Sequence, residues 1–291
     1  MNDADYLLEK ASAFVEQKNY LHAIQIYMKF LNNPDYVRIA ITHLAEIYDR
    51  QNQYDAVVKL FDSYLEQNLD DDDIRTYYAH YLIRHRNFAK ANHTLAGLSK
   101  EKHPEKNFLM GMVNYYLSDY EIAQINFQDF IKTNPKSDLL PDAYLYLSKS
   151  FLKQYELDSA LKNAKLSEKL YSQNYQLYET IAIIYYLKEM YFHSNENIRK
   201  SLELNPDDPE LYEWYGKILY KMGEYEKAEE QLLNYLKLDD PDSETYSLLG
   251  MTCLERRKHS DAKKYFDLAL KLNPEDEIAQ RGIKDCKTSI K

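Results

Sequence analysis

The chain has 291 residues, 45% of them hydrophobic and 29% charged, the proportions of a soluble, packed protein. Its 6 glycines and 8 prolines are too few for the many turns of an all-β fold. The formal charge of −10 is spread evenly, with 15 basic against 20 acidic residues up to position 140 and 22 against 27 after it, so no basic stripe exists to neutralise the phosphates of a nucleic acid or an anionic membrane.

The N-terminal MNDADYLLEK has neither the basic start nor the apolar core of a signal peptide. The longest apolar run, Ile181 to Leu187, is far too short to span a bilayer. Cys253 and Cys286 form no CxxC pair, and two cysteines do not make a disulfide framework. Together these features predict a cytoplasmic chain with no direct membrane insertion.

A repeat runs from end to end. An aromatic slot recurs at Tyr20, Tyr54, Phe88, Tyr120, Leu157, Tyr191, Tyr225 and His259, in steps of 34, 34, 32, 37, 34, 34 and 34 residues. Three residues after each comes a small side chain: Ala23, Val57, Ala91, Ala123, Ala160, Ser194, Ala228 and Ala262. Nine residues before each comes another: Ala11, Ala45, Ala79, Gly111, Ser148, Ala182, Gly216 and Gly250. The copies fall at 4–37, 38–71, 72–103, 104–137, 141–174, 175–208, 209–242 and 243–276, with Asp138-Leu139-Leu140 as an insertion. The first three copies depart most, and the third is two residues short.

Within each copy, slots 4, 7, 8 and 11 lie on one helical face, as Tyr178, Ile181, Ala182 and Tyr185 do. Slots 20, 24 and 27 form the face of a second helix, as in Ala123, Phe127 and Phe130. Turn-like residues such as Leu117-Ser118-Asp119 and Met222-Gly223-Glu224 separate the two. The small residues let the helices approach closely. Residues 277–291 offer Ile278, Ile283, Cys286 and Ile290 on a polar background, which predicts a capping helix for the exposed end of the stack.

The last copy reads Tyr246-x2-Leu249-Gly250-x2-Cys253, then Ala262-x3-Phe266, Ala269 and Pro274. It resembles the tetratricopeptide-repeat (TPR) signature slot by slot, with Tyr for the usual Trp and Cys253 for the usual Tyr. The resemblance covers nearly the whole chain. It implies an all-α solenoid, a right-handed superhelix of helix-turn-helix repeats, that binds other proteins without catalysis. Most tyrosines fill signature packing slots and are accounted for as core.

In that family slots 2, 5, 9, 12 and 13 of the first helices line a concave groove that holds partner segments. Carried onto this chain, the groove takes Tyr77 and His80 from the third copy and Phe108, Met112, Tyr115 and Tyr116 from the fourth. It takes Tyr146, Lys149 and Lys153 from the fifth, Tyr186 from the sixth, and Trp214, Lys217, Tyr220 and Lys221 from the seventh; of these Tyr77, Tyr146 and Trp214 stand beside the groove slots, at slot 6. Aromatic and Met side chains dominate binding hot spots. The lysines would meet acidic groups of the partner; Tyr115, Tyr146, Tyr186 and Trp214 would take its apolar side chains. The Lys-then-Asn opening of the clamp that grips chaperone C-termini is absent.

The alternative is a structural protein that forms homo-oligomers through its ends or convex face. An enzyme is disfavoured, because no phosphate-binding glycine loop, zinc-protease, nucleophile-elbow or calcium-loop motif occurs. No cofactor or metal is expected. The run Asp70 to Asp73, at the join of the second and third copies, reads as helix capping.

Overall fold

The computed structural model describes residues 3–98, 103–239 and 242–288, with residues 287 and 288 by backbone only. The described residues form seventeen α-helices and no strand, so the fold is an all-α repeat solenoid. They divide into two compact units, 1–117 and 118–291. The first holds α1 (Asp3–Glu16), α2 (Tyr20–Met28), α3 (Val37–Arg50), α4 (Tyr54–Gln67), α5 (Asp72–Arg84), α6 (Phe88–Ala96) and α7 (Lys106–Tyr116). The second holds α8 (Tyr120–Thr133), α9 (Leu140–Lys153), α10 (Leu157–Leu170), α11 (Tyr175–Leu187), α12 (Tyr191–Leu204), α13 (Pro209–Lys221), α14 (Tyr225–Leu238), α15 (Ser243–Glu255), α16 (His259–Leu272) and α17 (Glu277–Thr288).

Each even-numbered helix opens on the aromatic slot or its substitute, and the small side chains sit where paired helices touch. Ala11, Ala23, Val57, Ala79, Ala91, Ser148, Ala160, Ala182, Ser194, Ala228 and Ala262 are all fully buried. Where serine replaces alanine, its hydroxyl bridges the two backbones: Ser148 Oγ donates to the Ala160 carbonyl at 2.8 Å, and Ser194 Oγ donates to the Ala182 carbonyl at 2.7 Å. The two bonds run in opposite directions across the same contact, so either helix can supply the hydroxyl. Where glycine stands, the space goes to a large neighbour. A Cβ on Gly216 would lie 2.5 Å from Leu232, and one on Gly250 2.5 Å from Phe266.

The turn between the two helices of a copy has one backbone form throughout. Lys18, Asn52, Arg86, Ser118, Tyr155, Glu189, Gly223 and Arg257 all have φ between 58° and 77°, each two residues before the aromatic slot. The next amide then reaches five residues back: Gln53 to Tyr48 at 2.9 Å, Glu224 to Leu219 at 3.0 Å, Lys258 to Cys253 at 2.8 Å. This closes the last turn of the first helix in a Schellman motif. Seven of the eight positions are not glycine, at a cost of about 1–2 kcal/mol each for the left-handed conformation. Glycine counting therefore finds one turn of eight.

Within the second unit, successive first helices touch one another (α9 with α11, α11 with α13, α13 with α15, α15 with α17), while α10, α12, α14 and α16 each wedge between two first helices. The exposed sides of α9, α11, α13 and α15 thereby form one shared face.

At the C-terminal end, Asp276 accepts the Ala279 amide at 3.0 Å and the Ser247 hydroxyl at 2.8 Å, which ties the start of α17 to α15. The buried side of α17 is Ala279, Gly282 and Cys286, with Ile283 partly covered. Ile278, predicted on that side, is 46% exposed instead, because the helical phase set by Asp276 turns Ala279 inward. Ile290 lies outside the described residues. Gly282 rests on the Phe266 ring, where a Cβ would come within 2.3 Å.

The acidic run before α5 behaves as a cap and more. Asp71 accepts the Ile74 amide at 3.2 Å, the Tyr64 hydroxyl at 2.6 Å and Arg38 Nε at 2.9 Å, and Arg38 also pairs with Asp73 at 2.8 Å. Burial and the bond to Asp71 push the Tyr64 hydroxyl up to about 12.

The buried small contact generates a direct prediction. Ala262→Leu should lower the melting temperature, by overpacking worth about 1–3 kcal/mol. Thermal unfolding followed by circular dichroism reads this; an unchanged midpoint would mean that slot 20 is not a contact.

Candidate functional site: the first-helix face

In the first unit Tyr77 is half-buried beside Phe61, with ring centroids 5.8 Å apart. His80 is exposed, and Met112 and Tyr115 are half-buried. Tyr116 is 40% exposed with its ring stacked on Phe88 at 4.6 Å. Phe108 is a correction: it is only 6% exposed, so its ring is core and offers nothing to a partner. Arg84, one turn from His80, pairs with Asp49 at 2.8 Å, and so does His85.

The second unit presents the more continuous surface, and its side chains interlock from helix to helix. On α9, Tyr146 stacks on Phe127 at 5.9 Å, and Lys149 Nζ lies 5.7 Å from the Tyr146 centroid. Among the described residues no carboxylate reaches ion-pair distance of Lys149. Burial pulls its ammonium below the usual lysine range, and the charges of Glu179 and Glu210 work against that fall. Burial raises the carboxyls of Asp142 and Glu179, with Lys149 opposing in both cases; Glu210 and Asp208 add to the rise at Glu179.

On α11, Tyr186 meets Tyr191 edge-on at 5.7 Å and Trp214 of α13 edge-on at 5.6 Å. Lys217 Nζ sits 5.0 Å from the Trp214 ring. It pairs with Glu213 at 2.8 Å and with Glu244 of α15 at 3.4 Å. Burial opposes its charge, yet these two carboxylates hold the ammonium above its ordinary range. Thr245 donates to Glu213 at 3.2 Å, and the Tyr220 hydroxyl lies 3.9 Å from Met251 Sδ. Lys153 and Lys221, at the far ends of α9 and α13, are exposed.

Most of the sequence-predicted residues of the fifth to seventh copies therefore share one face with Asp142, Glu179, Glu210 and Glu244. Those four were absent from the predicted set. Their signal was present, because an acid stands at slot 2 or slot 5 of each copy from the fifth to the eighth, but the lysines at slots 9 and 13 drew the reading of charge. Among the described residues, no group of three or more His, Cys, Asp or Glu side chains is placed to hold a metal ion, and no helix is long and apolar enough to cross a membrane.

The two lysines of similar sequence setting should respond differently to removal. Lys149→Met keeps the alkyl stem and removes a desolvated charge without an ion pair, so stability should hold within about 1 kcal/mol or rise. Lys217→Met leaves Glu213 half-buried and unpaired, a loss of about 1–2 kcal/mol. Urea unfolding of both variants checks the contrast; equal losses would contradict these ion-pair assignments.

Models of the tetratricopeptide repeat match residues 198–230 and 243–276. No curated protein matches the chain by sequence. Its fold is similar to the Cut9–Hcn1 hetero-tetramer of the APC/C, with a TM-score of 0.68 at 13% identity over 98% of this chain. The chain spans only 56% of the length of that protein. PilF of Pseudomonas aeruginosa is similar over 72% of this chain and 95% of its own, at 14% identity and a TM-score of 0.63. YrrB, described as a TPR protein with an unusual peptide-binding site, is similar over 68% of this chain and 97% of its own, at 16% identity and a TM-score of 0.55. With the repeat period, the small-residue helix contact, the two matched repeats and this shared fold together, the chain is a tetratricopeptide-repeat protein.

Proposed function

We propose that this protein is a non-catalytic scaffold that holds a segment of another protein against the first-helix face of residues 118–291. The observation that carries the reading is the row Tyr146, Tyr186 and Trp214, half-buried aromatic side chains on three adjacent first helices, the last two in edge-on contact. Aromatic side chains held rigid in this way lose little entropy on binding and are the usual anchors of an interface. TPR proteins generally bind proteins or peptides, which agrees with this reading, although fold alone chooses no partner. In the first unit Tyr77, His80, Met112, Tyr115 and Tyr116 offer a separate first-helix surface of the same kind. Lys153 and Lys221, exposed at the ends of their helices, remain available to acidic groups of a partner.

The test is affinity capture from native extract with three equally folded baits: wild type, Tyr146→Ala/Tyr186→Ala/Trp214→Ala, and Phe192→Ala on the second-helix side, where the ring is 65% exposed. A protein captured by wild type and Phe192→Ala and reduced at least tenfold with the triple variant is expected. One retained by the triple variant and lost with Phe192→Ala would move the binding surface to the second helices.

A further inference from the structure

Charge on the first-helix face of the second unit is divided along each helix. Carboxylates stand near the helix starts: Asp142 on α9, Glu179 on α11, Glu210 and Glu213 on α13, Glu244 on α15. Of the two lysines among them, Lys217 is held by Glu213 and Glu244. Lys149 leans on Tyr146 and faces Asp142, Glu179 and Glu210 from beyond ion-pair distance. The remaining lysines, Lys153 and Lys221, each follow the acid of their own helix (Asp142 and Glu210) by eleven positions. At 1.5 Å per residue that is roughly 16 Å, about twice the screening length at physiological salt. They do not compensate the acids. Asp142, Glu179 and Glu210 therefore share one lysine, beside the aromatic edges of Tyr146, Tyr186 and Trp214.

We propose that the segment received here is basic, with arginine side chains of the partner entering between these carboxylates and the neighbouring aromatic rings. This rests on the scaffold reading above and reverses the acidic partner that the lysines alone suggested. Guanidinium suits the setting on both counts: it pairs with carboxylates through two parallel hydrogen bonds and stacks on aromatic faces. An acidic segment would meet three carboxylates and find Lys217 already paired. Glu179, half-buried, and Glu210, exposed, face only Lys149 from beyond ion-pair distance, and an arriving guanidinium gives them a direct ion-pair partner.

The experiment uses the full chain and fluorescein-labelled dodecapeptides repeating Arg-Leu-Tyr-Ser, with Lys and Glu counterparts, read by fluorescence anisotropy at physiological salt. The Arg peptide should bind at least tenfold more tightly than the Glu peptide and severalfold more tightly than the Lys peptide. Glu179→Gln/Glu210→Gln should weaken the Arg peptide at least tenfold. Glu196→Gln/Glu203→Gln, which removes two exposed charges from α12, should change it less than twofold. Equal weakening by both double variants would reduce the effect to general attraction by an acidic protein and overturn the proposal, as would absence of Arg-peptide binding. Preference for the Glu peptide, lost in the aromatic triple variant, would overturn the basic partner and leave the scaffold reading standing.

Discussion

Everything in this fold depends on how closely two helices of one repeat can approach. A small residue on the first helix faces a small residue on the second, and the large side chains above and below close over that contact. Gly216 under Leu232 and Gly250 under Phe266 show how little room is left. Ser148 and Ser194 show the same distance from the polar side, since each hydroxyl spans the gap to the opposite backbone. A second contact of this kind joins the start of a first helix to its own second helix: Ser167 donates to the Pro141 carbonyl and Ser201 to the Tyr175 carbonyl, both at 2.8 Å. With both contacts fixed, the first helices of the second unit pack into a row, and their outer sides become one surface.

The helices, their order and their buried slots were legible because packing repeats: a slot that must be small in one copy must be small in all. The turns were less legible. Left-handed residues close every one of them, yet only Gly223 and Asn52 announce the conformation by their identity. At Lys18, Tyr155 or Glu189 the backbone geometry is imposed by the helices on either side, so the local sequence carries no mark of it. The phase of α17 was missed for a related reason. Ile278 looked like core by hydrophobicity, but Asp276, which is bonded to α15, sets which side of the helix turns inward.

The candidate face was partly legible. Slot counting brought Tyr146, Lys149, Tyr186, Trp214 and Lys217 together, and in the fold Lys149 leans on Tyr146 while Tyr186, Trp214 and Lys217 meet across α11 and α13. It could not tell that Phe108, at slot 5 of the fourth copy, is core, because the same slot serves packing in one copy and exposure in another. Nor could it tell that Lys217 is already paired across helices with Glu244, a partner in the next copy. Charge in a groove is a property of neighbouring repeats together, and reading slots one copy at a time counts cations that the fold has already neutralised.

The most direct measurement is site-specific photo-crosslinking in the native cell, with benzoylphenylalanine in place of Tyr186 on the first-helix face or of Phe192 on the second-helix side. A partner peptide crosslinked from position 186 and not from position 192 is the result expected if the first helices of residues 118–291 form the binding surface. Capture from position 192 alone would contradict it.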